Sequence, residues 1–497
     1  MRKVIEPQMQ LGEEAFGAIR IDPKSRDDIP QLLRGLQHLY TTPQVRERVF
    51  AILEEILPES KGVKADPHTG RPGMSQWTIL VLGVLRLGLN ADYDRIQELA
   101  NQHSTLRQML GHSDWADETY YELQTLKDNL RLFTPEILDR INQEVVRAGH
   151  QALKKSPEEG VVGRCDSFVV ETDVHFPTDI NLLLDAIRKT IETCVKLSEA
   201  YELSGWRAHA YHQRQFKKQY RRVQRLKHST SQDENQRQRK QAEIQAAHRV
   251  YLELAQSHLA RAEQTRQQVD PRDPVAFVQL QELDSYMAHA RRQIDQIDRR
   301  VLQGERIPHE EKVFSIFEPH TEWICKGKAG VPMELGLRVS VVEDKDRFIL
   351  HHQVMEKITD DQVAITLVEE TRQRYPQLRA ISMDKGFHSP ANQAALKERL
   401  ECVALPKKGR LSQADKARES EPQFRQLRKE HSAVESAINA LEQHGLDQCP
   451  DHGIAGFKRY IGLAVVARNI QRLGAVLRQQ EQEKAARKRG PYKKKAA

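Results

Sequence analysis

The sequence predicts a mixed α/β core that is interrupted by a long helical insertion and preceded by an all-helical N-terminal region. Three observations lead to this fold class. Strand-like residues (Val, Phe and Thr) first cluster at Val161 and return from Gly336 onward. A helical pattern fills about residues 180–301 between them. Helix start signals mark the first 150 residues.

Composition narrows the classes of protein to which this chain can belong. Its 497 residues allow about three domains at ~150 residues each, and 30% charged residues favour long solvated helices. The net charge of +7 is concentrated in a basic tail, residues 481–497, which suits a polyanion partner or serves only solubility. The five cysteines lack metal-site spacing, which argues against a zinc site and a disulfide framework. We expect a cytoplasmic protein without a membrane partner.

Two segments near the N-terminus have the spacing of a helix–turn–helix. Ser75 is a plausible cap for an apolar helix over residues 76–89, and Asp92 is a plausible cap for a shorter helix over residues 93–102. The same spacing occurs in DNA-binding proteins and in ordinary helical hairpins, and both interpretations stay open. We expect residues 1–150 to form a helical domain that binds DNA if the first interpretation holds.

The predicted insertion, residues 196–305, combines heptad spacing with a dense run of cations. Breaks at residues 229–235 and 269–274 indicate a helical hairpin or three arms. Its last arm has the steps of a coiled coil at Leu280, Leu283, Met287, Ala290, Ile294, Ile297 and Val301. Its first arm interleaves Trp206, Tyr211, Phe216 and Tyr220 with Arg214, Lys217, Lys218, Arg221, Arg222, Arg225 and Lys227. Contact with the DNA backbone and a solvated helix face both explain this arm.

Strand-like and helical segments alternate after the insertion. Residues 336–344 and 347–355 predict a hairpin, and residues 378–384 and 402–408 predict two further strands. Asp360 is the expected cap of the helix that follows the hairpin. Three strands in a meander, followed by alternating helices and strands, make a mixed sheet.

Three acidic residues lie where such a sheet would expose them. Asp166 lies in the first strand, and Asp384 ends the strand LRAISMD, at the carboxyl edge where open α/β sheets bind ligands. Glu435 lies in a helix predicted over residues 424–444. The spacing places four polar residues on one face of that helix, toward the sheet: Arg428, His431, Glu435 and Asn439. A polar stripe against a sheet packs poorly but suits a metal site.

Neighbouring residues compete for these roles. Asp173 and Asp179 follow Asp166 closely, although Asp173 lies seven residues later, on the opposite face of the strand. His175 is expected to pack or to shape a loop. Trp323 either touches DNA or packs. Asp166 is therefore preferred as the first acid.

The segments around the three acids resemble the DDE transposases of bacterial insertion sequences. The resemblance is carried by CDSFVVETDVHFPTD, KGKAGVPMELGLRVSVVED, SMDKGFHSP, RKEHSAVESAINALEQHGLDQC and GFKRYIGLAVVARNIQRLG. It covers about residues 160–195 and 306–475. It implies an RNase H-like catalytic core over residues 160–195 and 306–480, split by the helical insertion.

The resemblance also implies a reaction and its cofactor. In that family three acids bind two Mg²⁺ ions, and the matching residues here are Asp166, Asp384 and Glu435; Mn²⁺ is expected to substitute. Two ions activate the attacking oxygen and stabilise the leaving one. The implied protein binds terminal inverted repeats as a homodimer on double-stranded DNA, at the bacterial nucleoid, and joins the cut ends to target DNA. An endonuclease without strand transfer and an inactive DNA-binding scaffold are the alternatives.

Three positions depart from the family pattern. His431 replaces the common Arg four residues before the Glu, Glu442 replaces the common Lys seven residues after it, and Phe387 replaces the more usual Tyr. The first two changes affect the expected grip on DNA ends rather than the three acids. The residues expected to contact DNA are Lys326, Lys328, Lys385, Lys407, Lys408, Arg428 and His431.

Overall fold

The computed structural model describes residues 2–5, 15–60, 63–64, 66, 73–112, 119–156, 159–325 and 333–489. The chain divides into two compact units. The sheet unit comprises Met1–Asp173 and Ile324–Ala497, and the helical unit comprises Val174–Trp323. The insertion predicted at residues 196–305 is shorter than the helical unit at both ends. The N-terminal helices share one hydrophobic core with the sheet instead of forming a separate compact unit.

Helices dominate the described residues before the first long strand. They are α1 (Ile29–Thr41), α2 (Pro43–Leu53), α3 (Gln76–Gly88), α4 (Tyr93–Gln102), α5 (Ser104–Met109), α6 (Leu123–Leu130) and α7 (Pro135–Ala152). A short antiparallel ladder of β1 (Glu59–Ser60) and β2 (Val63–Lys64) interrupts them. The prediction of a helical N-terminal region is therefore confirmed apart from this ladder.

The predicted helix pair near the N-terminus forms with the expected caps. The Ser75 hydroxyl accepts from the Thr78 amide at 3.1 Å, and the Asp92 carboxylate accepts from the Arg95 amide at 2.8 Å. These caps satisfy amides that have no partner within the helix. Every residue of α3 is buried, so this helix cannot read DNA. The exposed residues of α4 are Asp94, Arg95, Glu98 and Gln102.

The main sheet contains seven described strands, centred on β3. They are β3 (Val161–Thr172), β4 (Glu322–Cys325), β5 (Met333–Asp344), β6 (Ile349–Met355), β7 (Leu378–Met383), β8 (Cys402–Ala404) and β9 (Gln448–Cys449). On one side of β3, β5 and β6 continue an antiparallel meander. On the other side, β7 and β8 run parallel to β3, and β9 pairs with its end. The predicted mixed sheet is confirmed.

Helices cover the two faces of the sheet. They are α12 (Asp360–Arg374), α13 (Pro390–Arg399), α14 (Gln413–Ser420), α15 (Pro422–His431), α16 (Ala433–Leu441) and α17 (Gly453–Arg489). One face shares the large core with the N-terminal helices and α17. On the other face, Ala380 and Ala404 pack against Phe424 and Leu427 of α15. Among the described helices, none has a stretch long and apolar enough to cross a membrane.

The single helix predicted over residues 424–444 is divided in the structure. The α-helical hydrogen-bond pattern breaks at Ser432, although this residue keeps right-handed helical dihedrals. Its hydroxyl donates to the Lys429 carbonyl at 3.1 Å, a local bond that competes with the helix ladder. A π-helical turn at Glu442–Leu446 follows α16 and contains Gly445 at φ +87°. A helix-length pattern in the sequence did not indicate either break.

The helical unit has its own core, formed by four described helices. They are α8 (Asp179–Ala200), α9 (His209–Arg225), α10 (Glu234–Gln267) and α11 (Pro274–Ile297), with a π-helical turn at Asp298–Leu302. The two predicted breaks are confirmed. A third break at residues 201–208, where Glu202 and Gly205 have positive φ, replaces the predicted hairpin or three arms. The predicted coiled-coil residues of α11 pack within the chain, chiefly on α8.

Candidate active site

Strand register brings Asp166 and Asp384 together. Cys165 of β3 pairs with Met383 of β7 in parallel register, so Asp166 and Asp384 are the next residues of two adjacent strands. Adjacent strands lie about 4.8 Å apart, and residues at the same level point to the same face. β7 ends at Met383, and the Asp384 carboxylate accepts from the Gly386 amide at 3.4 Å in the following turn. The two acids therefore lie side by side at the carboxyl edge of β7.

The third acid is brought to this edge by a helix that is fixed to β7. His431, the last residue of α15, has its Nδ1 atom 3.1 Å from the Ser382 hydroxyl oxygen. Glu435 follows in the first turn of α16 and is exposed. Burial lowers the pKa of His431, while the charges of Asp384 and Glu435 oppose that effect. His431 therefore lies within electrostatic range of Asp384 and Glu435.

The electrostatics of Asp166 show that the acids act on one another. Burial is the main cause that raises the pKa of Asp166 to about 6, and the negative charges of Asp384, Asp360 and Glu435 contribute to the same shift. The Ser167 amide, which donates to Asp166 at 2.7 Å, opposes this shift. Like charges raise a pKa in this way when they lie within electrostatic range of each other. Asp384, Asp360 and Glu435 therefore lie near enough to Asp166 to act on its charge.

Asp360 is the acid that the sequence pattern did not assign to the site. The pattern predicts Asp360 as the cap of α12, and this prediction is wrong. Thr359 is the cap, and its side chain and Gln362 form a capping box. The Oδ1 atom of Asp360 is buried without a hydrogen-bond partner, and Oδ2 lies 3.1 Å from the position that a Cβ on Gly386 would occupy. The T-x-x-Q pattern at residues 359–362 is the sequence signal that would have identified Thr359 as the cap of α12.

The acids are suitable ligands for a cation, but they do not form a complete coordination group in the structure. Within the ranges that the structure describes, no three His, Cys, Asp or Glu side chains form a ready metal-binding group. The donor set nevertheless consists of carboxylate oxygens, which Mg²⁺ prefers. The repulsion around Asp166 and the unpartnered Oδ1 of Asp360 are features that a cation would relieve. The residues therefore fit a divalent cation by donor type and charge.

Few of the predicted DNA-contacting cations are free in the structure. Lys385 and Lys408 are exposed and have no acidic partner among the described residues. Lys407 instead binds Asp415 at 2.5 Å, and Arg428 contacts Glu419 at 3.4 Å. Lys326 and Lys328 lie outside the described residues.

The four residues of the predicted polar stripe have different surroundings. His431 interacts electrostatically with Glu435, Arg428 contacts Glu419, and Glu435 and Asn439 are exposed.

The competing residues have structural partners. The Asp173 carboxylate accepts from the Gln448 amide at 3.0 Å, and Asp179 binds Arg300 at 2.7 Å. His175 contacts Asp185 at 2.6 Å. Trp323 packs against the rings of Phe176 and Phe314, each with a centroid distance of 5.7 Å. These contacts are the packing that the sequence suggested for His175 and Trp323.

Comparison with known proteins agrees with the geometry of the acids. Residues 317–470 match the family model of the transposase DDE domain. The match covers about a third of the chain and includes Asp384 and Glu435, while Asp166 lies before it. No curated protein and no solved structure matches the chain. The resemblance to DDE transposases is confirmed over residues 317–470, which are similar to the transposase DDE domain.

Proposed function

We propose that this chain is a DNA transposase that cuts the terminal inverted repeats of an insertion sequence and joins the cut ends to target DNA. Asp166, Asp384 and Glu435 are its catalytic acids in this proposal. The observation that carries it is the parallel register of β3 and β7, in which the Cys165–Met383 pair makes Asp166 and Asp384 neighbours at the carboxyl end of β7. An acid cluster at a strand end, inside a chain with a transposase DDE domain, suits DNA phosphoryl transfer.

The strand order supports an RNase H-like core within the proposal. β3, β5 and β6 form an antiparallel meander, and β7 and β8 extend the sheet in parallel beyond β3. The first two acids then come from adjacent strands, and the third comes from α16, which contacts β3. Of the predicted core, residues 160–195 and 306–480, the part within the sheet unit (160–173 and 324–480) would form the core, and residues 1–150 would contribute to recognition of the DNA ends.

The four acids differ in what they can do. Asp166, Asp384 and Glu435 would hold two Mg²⁺ ions, or Mn²⁺ in their place. The bound cations would neutralise charge at the phosphate and lower the pKa of water. Asp360 would orient the turn after Asp384, because its Oδ2 atom lies against Gly386. His431, held by Ser382, would fix the start of α16 and with it the position of Glu435.

The substrate in this proposal is double-stranded DNA at both the element end and the target. Lys385 directly follows Asp384 and is exposed, so it can bind a phosphate beside the acids. Lys408 is exposed as well. A homodimer assembled on DNA would bring two ends to one target site, and two active sites would then act together.

The proposal is tested with purified protein, labelled DNA from the ends of the element that encodes the chain, a plasmid target and Mg²⁺. Asp384→Asn is compared with Asp173→Asn, since Asp173 is an exposed acid engaged by Gln448. Cleavage and joined product, lost in Asp384→Asn alone, are the expected result. Cleavage without joining would assign a DNA endonuclease. Binding with neither reaction in any variant would assign a DNA-binding scaffold.

A further inference from the structure

Helix α9 of the helical unit presents a basic face that nothing in the unit neutralises. From residue 203 to residue 232 the chain contains no Asp or Glu. The same stretch carries eight exposed cations: Arg207, Arg214, Lys217, Lys218, Arg221, Arg222, Arg225 and Lys227. None of them has an acidic partner among the described residues. The face is therefore a concentrated and uncompensated positive surface.

The cations are ordered by the helix. A central row runs along one side of it with steps of four, three and four residues: Arg214, Lys218, Arg221 and Arg225. Phe216 and Val223, on the opposite side of α9, are buried in the core of the unit. The row spans about 16 Å at 1.5 Å per residue. That length matches about five base pairs of duplex at 3.4 Å each.

The aromatic residues of this arm hold the helix instead of facing solvent. Trp206 and Phe216 are buried, and Phe216 stacks on Tyr251 with a centroid distance of 4.7 Å. The Tyr220 hydroxyl donates to Asn181 of α8. Only Tyr211 is mostly exposed. Because binding of single strands relies on exposed aromatic rings, the face is better suited to the backbone of a duplex.

Several exposed cations elsewhere in the helical unit have acidic partners. Four examples are Arg237 with Glu234, Lys240 with Glu243, Arg266 with Asp284, and Arg291 with Glu263. An ordinary solvated helix face is expected to show this mixture of signs. The charge separation on α9 instead leaves repulsion between like charges, which a polyanion relieves.

We propose that α9 binds the phosphate backbone of double-stranded DNA and does so without reading base sequence. This inference rests on the proposed function for the identity of the nucleic acid. It assigns to the helical unit a DNA contact that is separate from the acids of the sheet unit. Each cation that neutralises a phosphate adds about 0.9 to the salt dependence of binding, expressed as log K against log salt.

The test measures binding of full-length protein to a labelled 40-base-pair duplex of mixed sequence, in EDTA, over a range of KCl concentrations. The variant Arg214→Gln/Lys218→Gln/Arg221→Gln/Arg225→Gln removes the central row. Its matched control, Arg237→Gln/Lys240→Gln/Arg266→Gln/Arg291→Gln, removes the same charge from paired positions of the same unit. We expect the first variant to bind at least about tenfold more weakly, with a slope shallower by about 3 to 4. The control should stay within about twofold of wild type, since its cations are already paired.

Folding is checked independently of binding. Gln has nearly the helix propensity of Arg and Lys, so circular dichroism should be unchanged. A charge-keeping variant, Arg214→Lys/Arg221→Lys/Arg225→Lys, should retain most of the affinity. If this variant binds as poorly as the Gln variant, an electrostatic contact is excluded.

Three results would overturn the inference. Equal losses in the row variant and its control would show an effect of net charge alone. Unchanged duplex binding by the row variant would remove α9 from the interface, even if wild type cleaves DNA normally. Loss of binding to a single strand, with duplex binding kept, would assign the face to single-stranded nucleic acid. Wild-type protein that neither binds nor cleaves duplex would instead overturn the proposed function, and this inference with it.

Discussion

The acid site of the sheet unit and the basic face of the helical unit carry opposite, uncompensated charges, and they are built differently. The acids come from β3, β7, α12 and α16, and only the fold brings them together. The cations of α9 come from one continuous helix, so their spacing can be predicted from the sequence. The acids, which are brought together by the fold, are suited to holding one reacting group in a fixed position. The cations of α9, which repeat along one helix, are suited to contacts with successive groups of a polymer.

The largest expected effect concerns the acids. Asp166→Asn should reduce cleavage of element-end DNA by at least about a thousandfold, because the variant loses a ligand charge that the reaction needs. Duplex binding in EDTA should not fall, since removing a negative charge weakens no phosphate contact. Gel-based cleavage and anisotropy measured on the same preparation separate the two. Cleavage at a wild-type rate would show that Asp166 is not a catalytic acid.

A smaller loss is expected where His431 holds α15 to β7. His431→Ala and Ser382→Ala should each lower cleavage about tenfold, and the double variant should lose little more than either alone. The reason is that both substitutions remove the same hydrogen bond. Cleavage rates measured at saturating and limiting DNA should show the loss in turnover rather than in affinity. Fully additive losses would mean that the two residues act independently.

The role of Asp360 can be tested against a neighbouring acid, Asp361. Asp360→Asn should lower cleavage by about three- to tenfold, since Asp360 acts on Asp166 and lies against the turn after Asp384. Asp361→Asn is the matched control, because Asp361 is exposed and accepts from the Thr359 hydroxyl. Single-turnover cleavage with both variants decides the matter. Equal cleavage rates in the two variants would show that Asp360 has no role in the reaction.

Added Mg²⁺ should stabilise the folded protein through the acids alone. At a concentration about ten times its dissociation constant, Mg²⁺ should raise the free energy of unfolding by about 1.4 kcal/mol. The rise in melting temperature should be lost in Asp166→Asn/Asp384→Asn and kept when the central row of α9 is replaced by Gln. Calorimetry with NaCl at equal ionic strength is the control. A stabilisation that survives in the acid variant would place the cation elsewhere.

The smallest effect belongs to α9 itself. Replacing its central row by Gln should raise the free energy of unfolding slightly at low salt, by about 1 kcal/mol or less, because repulsion between like charges disappears. The gain should vanish at about 1 M salt, where charges are screened within about 3 Å. The paired control variant should show no gain, and a gain of equal size would contradict the charge separation described for α9.

Local signals in the sequence were sufficient where one short segment decides the structure. The caps Ser75 and Asp92, the strand ending at Met383 and the breaks before α10 and α11 all follow from adjacent residues. The resemblance to DDE transposases supplied the three acids, and the structure then showed which charges act on Asp166. Short-range chemistry and family motifs thus gave most of the site.

Long-range structure decided the remainder. Asp360 joins the acids only because α12 begins beside the turn at Gly386, which no local pattern indicates. The break at Ser432 depends on a side-chain hydrogen bond, and the break at residues 201–208 depends on left-handed dihedrals at Glu202 and Gly205. The extent of the compact units follows from contacts between distant segments. None of these is encoded by periodicity.

The heptad residues of α11 bear on how two copies of this chain could meet. Leu283, Met287 and Ala290 are fully enclosed by their own unit. A zipper between two molecules would need to expose these side chains first, at a cost of about 1.5–3 kcal/mol for each large one. Any contact between two copies of this chain would therefore use other surfaces. The heptad repeat of α11 specifies helix packing within one chain. An interpretation from the heptads alone would wrongly place the packing partner in a second molecule.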